Sequence, residues 1–190
     1  MQNILVAGHL SVNQLKTVLA AVKQTPASRL TVYAPASERQ LWPETITFIA
    51  GELTDQAGLT AALLDQDLVL AQLDSNALIA QTQSLRVAMT ATKTTMLVVT
   101  MTDSVLSLTQ VPVKWYRQRQ QRTKLAAIRT VEQLLQTSKL EFTLIAGQTA
   151  ADTMIYNRAL SQSWITAVPA RRQLGLNDYL AIDFTPVVAA

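Results

Sequence analysis

The chain has no cysteine and a single histidine, His9, among its 190 residues. The first absence excludes disulfides, thiolate metal sites and a cysteine nucleophile, and the second argues against an imidazole-bound metal, so no metal site is expected. Glycine is scarce at five residues and charge is sparse at 15%, whereas 49% of residues are hydrophobic. That balance suits neither a disordered chain nor a low-complexity array. It suits one buried core, with 1–190 read as a single domain, since this length leaves little for a second. Long apolar runs are also missing. The opening M-Q-N-I-L-V-A-G puts no basic segment before an apolar run too short for a signal core or a membrane span. A cytoplasmic protein with no membrane partner is expected.

Acidic residues are absent from Ser104 to Val131, where Lys114, Arg117, Arg119, Arg122, Lys124 and Arg129 fall. The formal net charge is +3, yet outside these six bases the remaining ten face thirteen acids, so the basic character is local. Its densest part is V-P-V-K-W-Y-R-Q-R-Q-Q-R-T-K, Val111 to Lys124. Three readings stand: a solvated helix face, a seat for an anionic ligand or cofactor phosphate, or a contact for nucleic acid or a protein partner. Nucleic acid is the weakest of these.

Apolar runs alternate with helical periods. Strands are expected at Asn3 to Ala7, Arg29 to Ala34, Thr45 to Ala50, Asp67 to Leu73, Thr95 to Met101 and Glu141 to Ala146. Between them Val12, Leu15, Val18, Leu19 and Val22 recur at helical spacing. Asp55 is placed to cap a helix through Leu59 and Leu63, Asn76 one through Leu78, Leu85 and Met89, and a further helix carries Leu125, Ile128, Val131 and Leu135. Pro35 to Glu44 reads as a polar connection, and the tail from about Thr153 resists assignment. Strands separated by helices imply parallel pairing through right-handed crossovers, hence an α/β doubly wound sheet in three α/β/α layers. In such sheets ligands bind beyond the carboxyl ends of the strands, where strand order reverses.

Two stretches carry a resemblance. Phe48 to Val69, F-I-A-G-E-L-T-D-Q-A-G-L-T-A-A-L-L-D-Q-D-L-V, resembles the third strand, Gly-Asp-x-Thr-Asp turn, short helix and Asp-x-Val strand start of the NmrA-like group of atypical short-chain dehydrogenase/reductases, with Glu52 in place of Asp. Val131 to Ile145, V-E-Q-L-L-Q-T-S-K-L-E-F-T-L-I, is similar to that group's helix, Ser-x-Leu turn and following strand. The resemblance implies a Rossmann-like, NAD(P)-binding protein, with NAD or NADP as cofactor and a small oxidoreductase activity.

The family's first turn reads approximately Gly-x-x-Gly-x-x-Gly/Ala, and against it this chain keeps Gly8 but has Ser11 and Gln14 at the other two positions. The glycine motif is degenerate. Ser11-Val12-Asn13-Gln14 forms instead a Ser-x-x-Gln capping box, which satisfies helix-terminal donors from within the chain. Either Ser11 and Asn13 add contacts to a phosphate at the helix N-terminus, or the helix stands without a nucleotide. By the resemblance, Gly8, His9, Leu10, Ser11, Val12 and Asn13 receive the pyrophosphate, Glu52 and Leu53 border the adenine, and Leu73 and Thr100 line the nicotinamide side. Pro35 stands where NADP-preferring members carry an arginine, with Arg39 four residues on; no acid for a ribose hydroxyl is there unless Glu38 bends back.

Catalytic members use a Ser or Thr after the fifth strand and a Tyr-x-x-x-Lys pair whose lysine lowers the tyrosine pKa. Thr100, Thr102, Tyr116 and Lys124 are the candidates, but Gln120 occupies the position four beyond Tyr116, so the pair is not intact. Asp152 falls in the family's substrate-side loop, where Ala146-Gly147 replaces the usual Arg-Pro. The expected partner is a dinucleotide or another anionic small molecule, and a homodimer through an exposed helix stays open. The alternative is a cofactor-free pseudoenzyme serving as a sensor or interaction module, to which the substitutions at Ser11, Gln14, Pro35, Gln120 and Ala146 point.

Overall fold

Strands buried on both faces must send alternate side chains into two separate cores, and that alternation organises the molecule. The computed structural model describes residues 2–10, 12–24, 28–101 and 115–146. Its elements are β1 (Gln2–Gly8), α1 (Val12–Gln24), β2 (Ser28–Ala34), a 3-10 turn (Ala36–Leu41), β3 (Thr47–Ala50), α2 (Gln56–Ala62), β4 (Leu68–Leu73), α3 (Leu78–Thr92), β5 (Met96–Met101), α4 (Trp115–Gln136) and β6 (Glu141–Ala146). The strands form one parallel sheet in the order β3-β2-β1-β4-β5-β6. Order reverses between β1 and β4, the arrangement of a Rossmann sheet.

Leu5 and Ala7 of β1, Tyr33 of β2 and Val69, Ala71 and Leu73 of β4 face one cluster, which α2, α3 and α4 close with Leu59, Leu85 and Val131. Ile4, Val6, Val32, Leu68 and Leu70 face the other, closed by Leu15 and Val18 of α1 and by Trp42 beyond the 3-10 turn. The expected three-layer α/β/α sandwich is therefore observed. A fully buried leucine contributes about 1.5–3 kcal/mol, so both faces matter to stability.

Asp55 caps α2 as expected, its carboxylate accepting from Ala57 N and Gly58 N at 3.2 and 3.1 Å. Asn76 does not cap α3, whose N-cap is Ala77 without a side-chain bond. Asp74 intervenes: its Oδ1 accepts from Asn76 N at 2.8 Å, forming a turn one step earlier. Strand β3 starts at Thr47, not Thr45, because Pro43 to Ile46 closes into a turn through Ile46 N to Pro43 O at 3.1 Å. The polar connection after Pro35 contains the 3-10 turn, and α4 reaches back to Trp115, so residues 115–124 of the basic run are helical. At the far end of α4, Leu140 N donates to Ser138 Oγ at 3.3 Å, which turns the chain into β6 and accounts for the Ser-x-Leu pattern. Ser11, Thr102, Asp152 and the tail from Thr153 lie outside the described residues.

Candidate functional site

The two strands at the order reversal end side by side, Gly8 opposite Gln72. Gly8 has φ +97°, and a Cβ there would lie 2.2 Å from the Gln72 carbonyl oxygen and 2.9 Å from Leu53 Cδ1. Only glycine fits, because the backbone is left-handed and β4 runs immediately alongside. Helix α1 then starts at Val12, so the positive end of its dipole lies close after the turn.

A cleft of about 260 Å³ opens over this junction. Gly8, His9 and Pro35 line one side with Glu52 and Leu53, and Gln72, Asp74 and Gln81 line the other. Five residues assigned to the cofactor from sequence, Gly8, His9, Pro35, Glu52 and Leu53, thus meet in one place. Leu10 is instead buried in the α1-side core, Val12 stands 60% exposed, and Asn13 lies on the first turn of α1. Leu73 points into the opposite core and is fully buried; its neighbours Gln72 and Asp74 line the cleft. Thr100 is buried beside Gln72, its partner in sheet register.

Gln72 is the polar residue of β4, L-V-L-A-Q-L, and is 2% exposed. A buried amide needs partners. Its Oε1 accepts from Gln14 Nε2 at 2.7 Å and from the Thr100 hydroxyl, tying α1, β4 and β5 together beneath the cleft. Gln14, the residue at the third glycine position, is thus held against β4 through its own side chain. Beside it, Gln81 Oε1 accepts from Asp74 N at 2.8 Å, securing the rim. Neither Gln72 nor Gln81 was marked by motif; the signal available for Gln72 was an amide inside an otherwise apolar strand.

On the other side, Tyr33 props the β3–α2 turn. Its hydroxyl donates to Glu52 O at 3.2 Å, and a Cβ on Gly51 would fall 2.3 Å from its ring. Burial, then the charges of Asp55 and Glu52, raise the phenol pKa, so Tyr33 stays neutral there.

The 3-10 turn, begun by Glu38 N donating to Pro35 O at 2.9 Å, brings Glu38 against His9 at the edge of the cleft. Its carboxylate is buried, 5% exposed, and touches Nδ1 of His9, which is 76% exposed. Burial raises the Glu38 pKa, His9 opposes that shift, and Glu52 adds to it. Arg39 turns away: it donates to Trp42 O at 3.0 Å and stacks 5.6 Å from the Phe48 ring centre. Tyr116 and Lys124 both lie on the unbroken helix α4, separated by about 12 Å of axial rise. Among the described residues no set of carboxylates and histidine is grouped to hold a metal, and no helix is long and apolar enough to cross a membrane.

Known structures share this fold. A Rossmann-fold NAD(P)-binding family protein from Shigella flexneri is 23% identical, covering 76% of this chain and 66% of that one, with a TM-score of 0.56. A wide-type short-chain dehydrogenase/reductase from Veillonella parvula, solved in complex with NADP, is 16% identical over 76% of this chain and 68% of its own, with a TM-score of 0.57. An anaerobillin reductase from Escherichia coli O157:H7 is 12% identical over 79% of this chain and 77% of its own, with a TM-score of 0.58. The chain thus spans just under two thirds of the length of the Shigella protein. A search of curated proteins gave no match. The family described as NAD(P)H-binding is matched over residues 15–159. With strand order, glycine turn and cleft in agreement, the chain belongs to this NAD(P)H-binding family.

Proposed function

We propose that the chain binds NAD(H) or NADP(H) across the cleft and serves as a small oxidoreductase of the NmrA-like type. The observation that carries this reading is Gly8: a left-handed glycine whose missing Cβ leaves room only for backbone, at the reversal of strand order and beneath the start of α1. Such a cradle lets a pyrophosphate approach main-chain donors, and the dipole of α1 favours its charge. The nicotinamide, when bound, supplies the hydride-transfer chemistry. The chain's own part is to hold and orient. Gly8 and His9 receive the phosphates, Glu52 and Leu53 border the adenosine, and the Gln14–Gln72–Thr100 bonds keep the floor under the nicotinamide half rigid. Thr100, its hydroxyl held by Gln72, is the candidate closest in chemistry to the family's Ser or Thr after the fifth strand.

Thermal unfolding with added NADH or NADPH tests the reading. A nucleotide at a hundred times its dissociation constant adds about 2.7 kcal/mol of stability, which raises Tm by several degrees in a chain of this size. Absence of any shift at millimolar concentrations of both would overturn it and favour the cofactor-free interaction module.

A further inference from the structure

At the amino ends of β1, β2 and β3, the end of the sheet away from the cleft, α2 stops at Ala62 and leaves a cavity of about 230 Å³. Alternate positions on this face of the sheet change there from apolar to polar. Tyr33 is preceded by Thr31 and Arg29 on β2, Leu5 by Asn3 on β1, and Ile49 by Thr47 on β3. The opposite face keeps Ile4, Leu30, Val32 and Phe48, so the polarity belongs to this corner. Arg29 and Pro35 stand six residues apart along an extended strand that rises about 3.3 Å per residue, which puts the cavity about 20 Å from the nucleotide cleft.

The corner is held in place by the chain itself. Asn3 Nδ2 donates to Asp65 O at 2.7 Å, Asn3 N donates to Asp67 Oδ2 at 2.7 Å, and Asp67 N donates back to Asn3 O at 2.8 Å. These bonds pin the turn after α2, in which Asp65 takes a left-handed φ of +59° that aspartate tolerates. From the strands come donors. The Arg29 guanidinium has no ion pair among the described residues, and the Thr31 and Thr47 hydroxyls, neighbours in register, have no side-chain bond among them either. Thr31 is nevertheless 6% exposed. From the turn come acceptors: the Asp65 carboxylate and Gln66 Oε1, a buried atom without a hydrogen-bond partner. Buried polar atoms seldom go unpaired. Ile49, Ala62 and Leu64 add an apolar wall.

We infer that this corner is a second ligand site, which takes a small zwitterion: a free α-amino acid with an aliphatic side chain. Its carboxylate pairs with Arg29 and the Thr31 and Thr47 hydroxyls, its ammonium with Asp65 and Gln66 Oε1, and its side chain lies on Ile49, Ala62 and Leu64. A simple anion leaves Gln66 Oε1 unpaired and meets the charge of Asp65, and a simple amine leaves Arg29 without a counter-charge. The zwitterion answers both. A cavity of about 230 Å³ falls below the range of about 300–1,000 Å³ that holds drug-sized ligands, which suits a molecule of this size. The site shares no lining residue with the nucleotide cleft and stands whether or not a dinucleotide binds there.

Isothermal titration of the full chain with L-alanine, L-valine and L-leucine tests the site. Isovalerate, isobutylamine and inorganic phosphate serve as probes that carry one charge or the wrong shape. At least one amino acid should bind saturably, and each single-charge probe should bind about tenfold or more weakly, the loss expected for a hydrogen bond to a charged group. Arg29→Gln should weaken the amino acid by about the same factor. Asp65→Asn, which keeps a residue tolerant of the left-handed backbone, should remove the advantage of valine over isovalerate. Both substitutions fall at exposed positions and should leave the melting temperature close to that of the parent. Three results would each overturn the inference: no saturable binding of any amino acid at millimolar concentration, a single-charge probe bound as tightly as the amino acids, or an amino-acid affinity unchanged in both variants.

Discussion

On one side of Gly8 the cleft wall comes from the chain following β2 and β3 and carries Pro35 and Glu52, with Glu38 behind it in contact with His9; on the other it comes from the end of β4 and from α3 and carries the amides of Gln72 and Gln81. The two sides satisfy their polar groups differently. On the amide side Gln72 accepts from Gln14 and Thr100, and Gln81 accepts from Asp74 N, so the groups are bonded within the chain. On the acidic side the buried Glu38 leans on an exposed histidine, while the main-chain turn above it is held by Tyr33 and Asp55. A fully bonded network rigidifies, whereas an underused buried acceptor stores a preference for a donor. The contrast therefore separates a scaffold half, bonded within the chain, from an acidic half that holds an underused acceptor.

The most disruptive way to break this arrangement is at the seam. Gly8→Ala forces a methyl to 2.2 Å from the Gln72 carbonyl in a left-handed backbone, and should cost on the order of 3 kcal/mol in urea unfolding and abolish nucleotide binding. Next comes the scaffold half alone. Gln72→Leu keeps the volume and removes the acceptor shared by Gln14 and Thr100, so unfolding should show a loss of about 1–3 kcal/mol. A variant as stable as the parent would show that this network does not brace the cleft.

The smallest effect, and the one of opposite sign, belongs to the acidic half. Glu38 has a folded pKa raised by burial above its ordinary 4.5, with His9 opposing the shift and Glu52 adding to it. A raised pKa means the fold prefers the protonated acid. Its stabilising contribution is complete below about pH 4.5 and is lost as pH rises through the folded value. Glu38→Gln should then melt higher than the parent at pH 8, with the gap closing towards pH 4. A gap that widens on acidification would contradict the assignment.

Much of this was legible from local pattern. All six expected strands occur, and Leu5 and Ala7 against Ile4 and Val6 show why: a strand buried on both faces has to be apolar throughout. Asp55 declared its cap through its distance from Leu59, a short-range bond between neighbours. The Gly8 turn was marked by one glycine after an apolar strand, and the cleft did form there. Asn76 misled because Asp74, two residues earlier, competed for the same turn.

Period and capping chemistry are properties of adjacent residues, so strand, helix, fold class and the location of the cleft could be read along the chain. Partnerships between distant residues could not. Gln14 with Gln72 spans 58 positions, and His9 with Glu38 joins two loops that meet because β1 and β2 are neighbours in the sheet. The inward return of Glu38 depends on a 3-10 turn that a run of polar residues did not announce. Strand adjacency fixed which side chains share the cleft, and that adjacency is a global outcome of burying two apolar faces at once.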